Sequence, residues 1–525
     1  MFVWNRVFSF TSFVLIFLLV CSNVFSNNLT ITNVQLGSRD PNAKTVKVLF
    51  DVAWENSWRN KINHDAAWVT VRLSDGVNGG VKSLCTLNSS GSNPDSTSSG
   101  SNLNAEVFVP NDKIGALIRP RSHQSIASFI SKKVMLTVNY GDLGLSDNSN
   151  IVANVMGLEM IFVPEGSFYA GDFGFSNASL KQGSNDNEPW VISSNAPVSV
   201  ENITSNGYYY VSAGNSDELA SGSNFVIPQE FPKGYGSFYA MKYEITEGQW
   251  VDFVNSLPVL SRPAHDLTDS LHKNSDSIVF RNTLQCSGSP LTCSTQRPAR
   301  AVGYLSWKDF SAYLDWAGLR PMTELEYEKG ARGPYMPVAG EFSWGNTIIN
   351  PVNQLSGTVE DGNEFALTPE ANAHCADQIL TGGDSTSGPD SQEGPIRSGL
   401  FSTATSSRVS SGAGNYGMME LSGNLKEWVV TIGNLKGLIF TGKNGDGGLS
   451  LVSGFEGNAN TEGWPGLDVT AANGITSASG AGLRGGSWSD STDRLHVSDR
   501  SEASTGPNDA KPEFGGRGVR SYDAQ

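Results

Sequence analysis

The apolar stripe of an amphipathic helix appears three times in this chain, each time short and each time with its own start signal. Thr246 with Gln249 forms a capping box ahead of EGQWVDFVNSL, in which Trp250, Phe253, Val254 and Leu257 share one face. Ser306 caps WKDFSAYLDWA, where Phe310, Tyr313, Leu314 and Ala317 form a stripe that Gly318 ends. Thr323 with Glu326 caps ELEYEKGAR, which stops at Gly333. Around these helices lie 57 glycines and 23 prolines in 525 residues, so most of the backbone from about residue 157 onward is expected in turns and short strands. A chain of this length exceeds one ordinary core, which points to more than one domain or to one elaborated domain.

Residues 27–154 read differently. TVKVLFDVAW alternates Val46, Val48, Phe50 and Val52, and AAWVTVRL and KKVMLTVNYG are rich in β-branched and aromatic residues. Several strands joined by polar loops predict an N-terminal β-sandwich. The tryptophans of WENSWR, Trp54 and Trp58, fit either a buried core or an aromatic edge able to stack on a sugar.

The first 26 residues carry one cation, Arg6, an apolar run from Phe13 to Val20 and a polar break, the pattern of a secretory signal cleaved after Ser26. The rival reading, a lipid anchor on Cys21, suffers from the bulky Val20 before it. The expectation is an exported protein in periplasm, on the cell surface or in the medium. No later stretch is apolar enough to span a bilayer. Removing residues 1–26 takes away Arg6 alone, so the formal charge of −16 becomes −17. Such an acidic surface repels phosphate backbones and excludes nucleic acid as a partner. Of the remaining cysteines, Cys286 and Cys293 flank a six-residue loop and predict a local disulfide, while Cys85 and Cys375 read as buried thiols.

Six blocks in order carry a resemblance: SFYAMKYEITEGQWVDFVN, AVGYLSWKDFSAYLDWAGLRPMTELEYEKGARG, FSWGN, NYGMMELSGNLKEWV, LRGGSW and GGRGVR. Together they resemble the formylglycine-generating enzymes, or sulfatase-modifying factors, over a domain placed at 157–525. The resemblance implies an α+β, C-type-lectin-like fold with few short helices and many loops, following the sandwich. It also implies an exported, copper-dependent oxidase that converts a sulfatase cysteine to formylglycine with two cysteines of its own.

Here those two positions, three residues past Ser487 and five further on, are Asp490 and Leu495. Neither supplies the soft sulfur that cuprous copper needs, and Cys375, the nearest cysteine, lies far upstream. No copper is therefore expected. The expectation is a non-catalytic binding or scaffold protein for a peptide, glycan or protein; the alternative is a divergent formylglycine-generating oxidase. Arg484, Ser487, Trp488, Asp490, Arg494 and Arg500 are the candidate ligand-binding residues, against a reading in which the arginines bridge backbone and Trp488 is core. His496 has no partner acid or nucleophile at a catalytic spacing. GNLKEW is similar to the family's calcium segment, which implies calcium on the Glu427 carboxylate and the carbonyls of Gly423 and Leu425. Against it stands Glu427 as an ion-pair partner of Lys426 or Arg484.

Overall fold

The computed structural model describes residues 29–76, 83–93, 105–356, 365–382, 393–403 and 406–522. The expected export segment and Cys21 lie outside the described residues. The architecture is α+β, mostly sheet with few helices.

The three capped helices form where their start signals stand: α1 at Glu247–Ser256, α2 at Trp307–Trp316 and α3 at Glu324–Arg332. Each has a complete capping box; in α2 the reciprocating residue is Asp309, which was not anticipated. Gly333 ends α3 at a φ of 73°, where a side chain would be strained.

Near the N-terminus, the strands Thr30–Asp40, Thr45–Arg59, Gln124–Asn139 and Leu87–Asn93 form an antiparallel four-stranded sheet in that spatial order. The alternating Val46, Val48, Phe50 and Val52 point inward, as expected, and meet Val69, Val71 and Leu73 of a second sheet.

Among the described residues that second sheet has eleven strands, nine on one path, with Phe514–Gly515 beside Lys426–Val430 and Ser83–Leu84 beside Asp65–Asp75 off it. Its path runs from Ala481–Arg484 through Lys426–Val430, Arg320–Thr323, Gly518–Ser521 and Phe238–Met241 to Ile151–Val163. It then continues through Asp65–Asp75 to Ala116–Pro120 and Ala105–Phe108. Asp65–Asp75 pairs with Ile151–Val163 along its whole length, Asp65 opposite Ile161 and Asp75 opposite Ile151. The boundary expected between residues 154 and 157 therefore falls inside a strand common to both halves of the chain. Asp65–Asp75 is covered on both faces. Ala67, Val69, Val71 and Leu73 enter the N-terminal core, while Ala66 and Trp68 enter a larger core with Trp250, Phe310 and Trp428.

The two tryptophans of WENSWR part company. Trp54 is buried and its indole N–H donates to Asp65 at 2.7 Å. The strand register then shifts on either side of Ser57, and Asn56 sits at a φ of 56°. This irregularity re-aims the chain, and Trp58 is half-buried against Gly417 and Ile161.

Candidate functional site

The Gly-Gly-Ser segment leaves the strand Ala481–Arg484, which pairs antiparallel with Lys426–Val430 so that Arg484 stands opposite Glu427. Gly485 and Gly486 follow at φ values of 92° and 64°. A Cβ on Gly486 would come within 2.7 Å of the Leu495 side chain, so the loop closes on itself only with glycine there.

Within the loop, Ser487 donates to the Asp490 carboxylate at 2.6 Å, and Lys426 approaches the other Asp490 oxygen at 3.3 Å while pairing with Glu502 at 2.6 Å. Leu495 is fully buried among Phe342, Trp344, Ala373 and Cys375. Sequence distance concealed the last of these. The 374–376 segment crosses the loop, its Ala376 N–H donating to the Asp490 carbonyl at 3.0 Å and its His374 carbonyl accepting from Asn424 at 2.9 Å. Cys375 thus reaches the positions where the family carries its cysteine pair. It arrives as a single thiol, and burial pushes its pKa up to about 11, with Asp490 adding to the rise. A metal binding there would have to displace the thiol proton.

The other expected ligand-binding residues are placed as follows. Arg484 is buried between Glu324 at 3.2 Å and Glu328 at 3.0 Å and also donates to the Val497 carbonyl. Arg500 is buried against Glu324 at 2.6 Å and the carbonyls of Ala178 and Val211. Both guanidinium groups are buried and bind α3 to its surroundings instead of lining an open surface, although Arg484 Nε has no hydrogen-bond partner among the described residues and Arg500 also donates to the Tyr210 hydroxyl. Trp488, 7% exposed, packs with Ala301 and Leu425 and lies 5.5 Å from the Phe280 ring. Ser487 is buried, while Asp490 and Arg494 are half-exposed. His496 packs between Phe175 and Phe342, and burial lowers its pKa.

Of the residues expected to hold calcium, the Glu427 carboxylate is already paired with a cation. Both oxygens of Glu427 accept from the Arg517 guanidinium, at 2.8 Å from Nε and 2.6 Å from Nη2, and both side chains are buried. A dication at that carboxylate would sit against a fixed positive charge. The partner is neither Lys426 nor Arg484. It comes from the GGRGVR block, a pairing across 90 residues that no local spacing announces. Arg517 also donates to the carbonyls of Lys242 and Met419, and two more buried carboxylates, Glu244 and Glu420, lie within its field. Glu244 accepts from the Leu425 N–H at 3.0 Å and from Asn424. Among the described residues no group of three or more His, Cys, Asp or Glu is disposed to hold a metal ion.

The predicted disulfide between Cys286 and Cys293 is present, joining the strands Gln285–Ser287 and Thr292–Ser294.

All six blocks fall inside one matched family domain. The family model described as the sulfatase-modifying factor enzyme 1-like domain covers residues 151–522. A formylglycine-generating enzyme of Bos taurus is 28% identical over 158 residues, 25% of this chain and 39% of that protein. Enzymes of the same name from Thermomonospora curvata and Streptomyces coelicolor are 41% and 44% identical over 59 and 55 residues, covering 19% and 17% of their lengths. The matched stretches thus span well under half of each relative. With the family model covering most of the chain from the shared strand to the C-terminal strand, this chain belongs to the sulfatase-modifying-factor, or formylglycine-generating-enzyme-like, family.

Proposed function

We propose that this chain is an exported, non-catalytic member of its family: a β-sandwich followed by a C-type-lectin-like body that binds a peptide, glycan or protein without converting it. The observation that carries the reading is the chemistry at the two family cysteine positions. Asp490 is a hard oxygen ligand already engaged by Ser487 and Lys426, and Leu495 is a hydrocarbon in an apolar cluster. Copper(I) chemistry at that point needs paired soft thiolates. One protonated thiol does not meet that need.

The position of Cys375 favours a second reading, an oxidase that uses a displaced cysteine. The two are separated by incubating the purified protein with copper(I), oxygen and a Cys-X-Pro-X-Arg peptide and weighing the peptide by mass spectrometry. The expected result is unchanged peptide. Formylglycine product that disappears in Cys375→Ser would establish the oxidase and overturn the binding reading.

A further inference from the structure

A cavity of about 710 Å³ opens away from the Gly-Gly-Ser loop, where the bulged end of Thr45–Arg59 and the start of Gln124–Asn139 face the 406–419 loop. Its volume falls in the range of roughly 300–1,000 Å³ typical of small-molecule sites. We infer that it is a binding site for a neutral oligosaccharide, with Trp58 as the stacking platform.

The lining chemistry is selective. Among the described residues that line it there is no carboxylate, so nothing favours a cationic ligand. His123, Lys242 and Arg408 contribute to the wall, and the last two are already bonded elsewhere. Lys242 pairs with Glu159 at 3.1 Å with both side chains almost fully buried, and its ammonium lies 5.7 Å from the Trp58 ring centre. Arg408 donates to the backbone carbonyls of Ala331 at 2.9 Å and Ser343 at 2.7 Å. An anion would therefore have to compete for both. What remains is Trp58 with Tyr416, His123, the apolar Ile126 and Met419, and a set of amides and hydroxyls, a combination that suits a polyhydroxylated ring with one apolar face.

The chain is also shaped to present these groups. The register shifts around Ser57 turn Trp58 away from the N-terminal core that takes Trp54. Asn60 accepts from the Ile62 and Asn63 N–H groups at 2.7 and 2.8 Å, which fixes the turn at the cavity's edge. Asn63 then reaches across to donate to the Tyr416 carbonyl at 2.8 Å, tying the two walls together. A β-bulge that re-aims one aromatic beside a cavity is a recurrent device at sites. The floor is held from behind by Arg517, whose guanidinium bonds the carbonyls of Lys242 and Met419.

This inference locates a site and a ligand class for the binding reading, and it can fail independently: sugar binding reads the cavity, whereas the copper assay reads the Asp490 region. The test is an array of neutral, sulfated and uronate-bearing oligosaccharides together with a peptide array, followed by calorimetry on the hits with the full mature chain. Neutral oligosaccharides are expected to bind, Trp58→Ala to weaken them at least about tenfold, and Trp58→Phe to restore most of the affinity. Because Trp58 also packs against Gly417, a second variant keeps the test open if Trp58→Ala does not fold. Ser125→Trp, at an exposed position of the cavity wall, should block binding without touching the core. The inference is overturned if neutral sugars do not bind, if Ser125→Trp leaves their binding unchanged, or if only charged sugars or peptides bind at the cavity.

Discussion

The most searching single substitution is Arg517→Met, which keeps an unbranched stem and removes the guanidinium with its charge. In the native protein Arg517 is the buried cation nearest Glu427, and its field also reaches Glu244 and Glu420. Burial raises the pKa of all three carboxyls, well above the ordinary value for Glu244 and to about 7 for Glu420, and Arg517 opposes the rise at each. Breaking a buried pair by deleting one partner costs about 3–5 kcal/mol, because the remaining charge stays in a poor solvent. Three carbonyls, of Met241, Lys242 and Met419, lose a donor as well. The loss should depend on pH in a defined direction. Without Arg517 the carboxyls take up protons in the folded state at higher pH than in the unfolded chain, so stability falls as pH rises, and the deficit is larger at pH 8 than at pH 5. The assay is guanidinium unfolding followed by tryptophan fluorescence at both pH values. Adding Glu427→Gln to Arg517→Met should recover a substantial part of the loss, since the unpaired charge is then gone. Calcium or chelator should leave the wild-type midpoint where it is. The reasoning is refuted if Arg517→Met unfolds within about 1 kcal/mol of wild type, or if calcium shifts the wild-type midpoint and Glu427→Gln abolishes that shift.

Two further outcomes follow from buried features. His272 donates between Asp269 at 2.7 Å and Asp309 at 2.9 Å; burial works against its charge, but the two carboxylates prevail and hold its pKa at about 9. Asp309, which also bonds His265 at 2.8 Å, is held well below the carboxylate range despite burial. The His272 contribution is therefore complete below pH 6.5 and lost as pH rises through 9, and the Asp309 contribution is lost only as pH falls below 3.8. His272→Gln should cost about 3 kcal/mol at pH 6 and much less above pH 9, read from unfolding midpoints across that range. Replacing Cys286 and Cys293 with serine should cost about 2.5 kcal/mol. Asn255 still holds the hairpin to α1 through two 2.8 Å bonds to Cys293. Reductant should lower the wild type to the level of this variant and leave the variant itself unchanged.

What could be read in the sequence was local. Three helices began at Thr246, Ser306 and Thr323 because a capping box closes within four residues and depends on nothing distant. The Cys286–Cys293 bridge and the inward alternation of Val46 to Val52 belong to the same class. Contacts across long separations left no such mark. Arg517 meets Glu427 and Arg484 meets Glu324 through the order in which strands enter one sheet, and Cys375 meets Leu495 where two loops cross. The arginines in and after the Gly-Gly-Ser segment, Arg484 and Arg500, are committed to α3. The cavity was illegible because it joins WENSWR to a serine-rich loop some 350 residues later, and because a bulge decides which of two tryptophans faces it.

The strand Asp65–Asp75, dressed with apolar side chains on both faces, has a consequence for how the protein can be handled and how it moves. Cutting the chain at residue 151, where family homology begins, would strip a partner from Ile151–Ile161. The fragment would present an open ladder of N–H and C=O groups beside exposed hydrocarbon, an invitation to aggregate. The homologous region is thus not the smallest cooperative unit. The two walls of the cavity are likewise coupled to that strand: Asn63, two residues before it, clasps the Tyr416 carbonyl of the opposite wall at 2.8 Å.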